Sequence, residues 1–152
     1  MDDKIKFSLD VAIQQHDKSD LNLQRQKEEK VEQEKKNQQE LENFISNNIK
    51  PILTDYKRYL ESKTKRGEIL EGKKRKGSIE LHMFLTNSHD DNEHPAIHFS
   101  PASEGQIKIN AGLWSSLDQV DEDFLFAVEK ISDITKDKIE KHIEYLIKKS
   151  LE

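Results

Sequence analysis

Residues 5–13 alternate strictly. Ile5, Phe7, Leu9, Val11 and Ile13 point one way, and Lys6, Ser8, Asp10 and Ala12 the other. A period of two over this length predicts a half-buried β-strand. A polar turn at 16–19 and the alternating Leu21 and Leu23 complete an N-terminal β-hairpin, with Ile13 beside Leu21 and Val11 beside Leu23.

The alternation then stops. Across residues 24–40 the one apolar side chain is Val31, and no Gly or Pro interrupts. That composition reads as a helix with no apolar face of its own. A helical stripe follows in Leu41, Phe44, Ile45, Ile49, Ile52, Leu53, Tyr56, Tyr59 and Leu60. The stripe keeps its phase across Pro51, which predicts a single helix over 25–61, kinked where the proline removes a hydrogen bond. At 1.5 Å per residue it would be about 55 Å long, nearly twice the length of a nine-residue strand. Its charged first half is expected to overhang any sheet that the second half covers.

Gly67, Gly72 and Gly77 then break the chain into a connector, 63–77. Next comes the clearest pattern. Ile79, Leu81, Met83 and Leu85, then Ile97 and Phe99, then Ile107 and Ile109 alternate with polar residues, separated by polar loops. Folding both loops symmetrically pairs Met83 with Phe99, and Phe99 with Ile107. All eight apolar residues then share one face of a three-stranded meander. The other face carries Glu80, His82, Phe84, His98 and Lys108. From residue 116 the chain reads as helix. Ser116 and Gln119 suit a capping box, the acids Asp118 and Asp121–Asp123 suit the first turn, and Phe124, Val128, Ile131, Ile139, Ile143 and Leu146 form the stripe. A soft spot at 132–137 divides it.

The expected fold is therefore α+β in two layers: a three-stranded antiparallel meander plus an N-terminal hairpin, packed by a long kinked helix and a C-terminal helix. Its parts are a hairpin at 1–24, a helical arm at 25–62, a basic connector at 63–77, and a meander with helix at 78–152. The last of these forms one compact domain with 41–62.

Composition changes this picture little. The chain has 152 residues, of which 33% are hydrophobic and 36% charged, lean for a globular domain, and the deficit lies at 14–40 and 61–77. There is no cysteine, which excludes disulfides and thiolate metal sites. No apolar run is long enough to span a bilayer and no signal peptide opens the chain, so a cytoplasmic protein without a membrane partner is expected. Charge is more telling. Net charge is −5, yet Lys63, Lys65, Arg66, Lys73, Lys74, Arg75 and Lys76 face only Glu68 and Glu71 within 63–76, a local +5.

Three candidate chemistries follow. The partner surface would be formed by Phe7, Leu9 and Val11 on the hairpin, by Val31 on the arm, and by Phe84, an aromatic on the polar sheet face. The basic connector could contact phosphates, although it lacks interleaved aromatics and the order of a phosphate-cradling glycine loop. His82, His89, His94 and His98 lie among carboxylates on one hairpin, the residue types of a divalent-metal site, but their spacing matches no established ligand pattern. No nucleophile elbow or cofactor motif is present. The expected function is a non-enzymatic interaction or assembly protein without a cofactor. It would act as a homodimer or on another protein, through the charged helix and hairpin. Nucleic-acid contact through 63–76 is the alternative, and metal binding on the histidine hairpin a second alternative.

Overall fold

The computed structural model describes residues 2–115 and 120–152, with side-chain detail at all of these but 120–123. Helix α1 runs from Asp3 to Phe44, passes through a π-turn at Ile45–Ile49, and continues as α2, Lys50–Ser62. Five strands follow: β1 (Arg66–Glu71), β2 (Ile79–Phe84), β3 (Glu93–Pro101), β4 (Gln106–Ser115) and β5 (Val120–Lys130). Helix α3, Lys136–Ser150, ends the fold. The strands form one antiparallel sheet in sequence order, so the whole sheet is a meander. The chain divides into two compact units, residues 1–36 and residues 37–152. No helix among the described residues is long and apolar enough to cross a membrane.

The α+β class and the long helix agree with the sequence pattern, and three details do not. First, residues 5–23 lie in α1 and form no hairpin. Two strands alone are marginal in water. The expected turn at 16–19 has no Gly, Pro or Asn-Gly, and nothing before Pro51 stops a helix. Second, the connector at 63–77 contains β1. Ile69 and Leu70 are strand formers, and β1 turns into β2 through Gly72 and Gly77, both at positive φ, with the Gly72 N–H bonded to the Ser78 carbonyl at 2.8 Å. Third, residues 120–130 form β5, where a helix was expected. Phe124, Phe126 and Val128 alternate, Phe124 and Val128 alone also fit a helical stripe, and β4 offers a pairing edge. The proposed capping box at Ser116 and Gln119, with Asp118, lies outside the described residues. The soft spot is instead where α3 begins, with the Thr135 hydroxyl accepting from the Lys138 N–H at 3.2 Å.

All eight apolar residues of the predicted meander lie in one buried cluster. The registers differ from the symmetric ones: Phe99 faces Ile79 and Ile109, not Met83 and Ile107. Both slips are even, which is why every side chain keeps its face. Leu41, Ile45 and Ile49, then Ile52, Leu53 and Leu60 of α2, then Ile139, Ile143 and Leu146 of α3 complete that core. All three helical segments therefore cover the same face of the sheet.

The irregularity expected at Pro51 is the π-turn just ahead of it. In an unbroken α-helix Pro51 would owe a hydrogen bond to Asn47 and its ring would press on that carbonyl. In the π-turn the Lys50 N–H instead reaches back to the Ile45 carbonyl. The wider turn has a second effect. Leu41, Ile45, Ile49 and Leu53 are spaced by four, which on a regular helix drifts by about 40° per step. More residues per turn cancel part of that drift and hold the stripe over the sheet.

Candidate functional site: the polar sheet face and the exposed helix

The face of the sheet opposite the core is polar in sequence yet buried at its centre. Leu70, Glu80, His98, Asn110 and Phe126 lie side by side across the five strands. Glu80 is only 3% exposed, as are His82 and His94. A buried carboxylate costs several kcal/mol of desolvation unless it is paired. Its Oε2 lies 3.1 Å from His82 Nε2. Its Oε1 lies 3.7 Å from Lys74 Nζ and 3.9 Å from His98 Nε2. Burial pushes the Glu80 carboxyl up, but the His82 hydrogen bond and the charges of His82, His98 and Lys74 together outweigh it, and the net shift is downward.

From His82 the contacts continue. His82 Nδ1 lies 2.7 Å from His94 Nε2, and His94 Nδ1 lies 2.7 Å from the Asp90 carbonyl oxygen. Hydrogen counting fixes the tautomers. A carbonyl only accepts, so His94 Nδ1 carries a proton. In a neutral imidazole its Nε2 is then the acceptor, facing His82 Nδ1, and burial, foremost, holds the His94 pKa down. At the other end His82 Nε2 faces Glu80 Oε2. The result is a continuous chain from a buried acid to a loop carbonyl.

Planar groups wall this chain. The Arg66 guanidinium sits 3.7 Å from the Phe84 ring centre, Phe84 lies 4.2 Å from His94, and His94 lies 4.9 Å from Trp114. Lys73 Nζ is 5.8 Å from the Trp114 ring centre. The stack is therefore flanked by cations at both ends, which the negative faces of the rings favour. A cleft of about 430 Å³ opens beside it, bounded by Arg66, Lys73, His82, Phe84, His94 and Trp114. His98 Nε2, Asn110 Oδ1 and Trp114 Nε1 are buried and have no hydrogen-bond partner among the described residues.

The candidate metal ligands are only partly brought together. His82 and His94 touch, but each spends its facing nitrogen on the other. His98 approaches Glu80 instead. His89 Nδ1 accepts from the Leu85 and Thr86 N–H groups at 3.0 and 3.3 Å, closing its own loop. Among the described residues no group of three ligands converges.

The basic residues are also dispersed. Arg66 pairs with Glu68 and Asp91, Lys74 with Glu80, and Arg75 donates to the Pro101 carbonyl at 3.5 Å. Lys73 caps Trp114, and Lys63 lies 5.8 Å from the Tyr59 ring centre. Lys65 and Lys76 are exposed.

Of the candidate partner residues, Phe84 is largely buried, stacked between Arg66 and His94. Phe7, Leu9, Val11 and Val31 are exposed, as are Ile5, Ile13, Leu21 and Leu23. They lie on a helix, however, so Phe7 and Val11 no longer share a side with Leu9. The sequence reading missed the role of Glu80. Its signal was the i, i+2 spacing from His82 on one strand face, which places the two side chains together. Trp114 stands on the face opposite the core, beside His82 and His94.

Comparison with known proteins finds no matching family model, no similar curated protein and no similar solved structure.

Proposed function

We propose that this protein is a non-enzymatic assembly protein that self-associates through the helix formed by residues 3–36. One observation carries the reading. Every described residue from Asp2 to Lys36 is exposed, although this helix includes Ile5, Leu9, Ile13, Leu21, Leu23 and Val31. A helix gains most of its stability in proteins by packing an apolar face. Covering one Leu or Ile side chain contributes about 1.5–3 kcal/mol, so a partner helix would stabilise this segment substantially. The buried relay on the polar sheet face fits a structural role in the same reading: it ties β2, β3 and the loop at Asp90 together.

Sedimentation equilibrium of the full chain over micromolar concentrations tests this. A concentration-dependent dimer is expected. Leu9→Asp with Leu23→Asp should give a monomer whose folded unit melts unchanged. A wild-type chain that stays monomeric at high micromolar concentration overturns self-assembly.

A further inference from the structure

The exposed apolar residues of α1 are not scattered evenly around it. Ile5, Leu9, Ala12, His16, Ser19 and Leu23 follow steps of four and three in alternation. That is the spacing of a two-stranded coiled-coil seam. Ile13 flanks it. Phe7, Val11 and Leu21 lie on the opposite side of the helix. We propose that two copies of this chain pair in parallel and in register along Ile5, Leu9, Ala12, His16, Ser19 and Leu23. The proposal rests on the self-association reading and adds its geometry.

Orientation follows from what each layer would contain. Parallel pairing in register sets Ile5 against Ile5, Leu9 against Leu9, Ala12 against Ala12 and Leu23 against Leu23. Only the His16 and Ser19 layers are then polar. Antiparallel pairing over the same length sets Leu9 against Ser19 and Ala12 against His16, leaving Ile5 with Leu23 as the one apolar kind of layer. The parallel arrangement therefore buries more apolar surface with like against like. A polar step inside an apolar seam costs stability and penalises slipped registers. His16 supplies that step, already held by Asp20 at 3.3 Å on its own helix.

The charge pattern sets the downstream limit. Continuing the same spacing places Gln26, Lys30, Gln33 and Asn37 in the seam. Lys30 would then face Lys30. Glu29 would lie across from Glu34 of the other copy, a like-charge contact at the flanking positions that choose coiled-coil partners. The pairing is thus confined to about residues 5–23, roughly 28 Å of helix.

The chain has no cysteine, so a single introduced thiol reports its own position. Ala12→Cys and Ser19→Cys chains, held in a glutathione redox buffer, should each form same-position disulfide dimers. Phe7→Cys, on the opposite face, should do so at least about tenfold more slowly, because its Cα atoms lie beyond disulfide reach in the pair. Preferential Leu9→Cys with Ser19→Cys crosslinking in an equimolar mixture, with the dimer intact by sedimentation, would overturn the parallel register and leave self-association standing. Crosslinking no faster than Phe7→Cys in a chain that sediments as monomer would remove both.

Discussion

Glu80, His82 and His94 show what single positions contribute. Two imidazoles, a carboxylate and a backbone carbonyl share their protons in one direction, and that direction depends on His94 staying neutral. His89, His94, His98 and His142 are all held below the ordinary value of 6.5, in each case chiefly by burial. The sign follows from linkage. As pH falls below 6.5 the unfolded chain takes up protons that the folded chain declines, so stability is complete above that pH and is lost below it. Glu80, lowered from 4.5, adds a second loss as pH falls below 4.5. The melting temperature should be level from pH 8 to 7 and fall by several degrees, on the order of 5 °C, by pH 5. Calorimetry at constant ionic strength checks this, and a level profile down to pH 5 would contradict the lowered titration of these four histidines. The histidines themselves were visible in the sequence. Their connectivity was not, because His82 meets His94 only through a strand pairing whose register the loop lengths misplace.

At the scale of elements, the N-terminal segment shows where pattern gives way to context. Ile5, Phe7, Leu9, Val11 and Ile13 carry a period of two, and an isolated window reads them as a strand. A strand needs a neighbour, while a helix satisfies its own backbone and can extend from the packed residues downstream. The meander behaved differently, since Ile79 to Met83 and Ile97 to Phe99 each had a partner of matching face nearby. β5 reads as helix in the sequence because Phe124 and Val128, four apart, fit both periods, and Ile131 extends only the helical one. The independence of the helical unit has a direct test. Gln26→Pro should break α1 there, at about 3 kcal/mol of helix stability, and lower the far-ultraviolet helix signal. The transition reported by Trp114, the only tryptophan, should not move. A shift of that transition would show that residues 37–152 depend on the upstream helix.

For the molecule as a whole, the uneven charge is the feature the sequence displayed most openly and the structure altered most. The +5 segment is partly neutralised by its own fold: Arg66, Lys74 and Arg75 are engaged by Glu68, Asp91, Glu80 and Pro101. If the alternative of nucleic-acid contact holds, Lys63, Lys65 and Lys76 are left to meet phosphates. Affinity for single-stranded RNA should then change with salt with a log–log slope of about −2. Fluorescence anisotropy across a salt series measures it. A slope steeper than about −5 would mean that the whole basic segment rearranges to bind. The π-turn has a consequence at this same scale, for how the chain tolerates changes in length. Ile45–Ile49 holds a surplus residue that the helix has absorbed without breaking. Losing it would leave every hydrogen bond of a plain helix available except that of Pro51. Leu41 would keep its phase with Leu53, whereas one residue lost from the regular helix between Leu53 and Leu60 would turn Leu60 by about 100°, swinging that end of the stripe off the sheet. The π-turn is thus the one slack tooth in a gear that elsewhere counts residues.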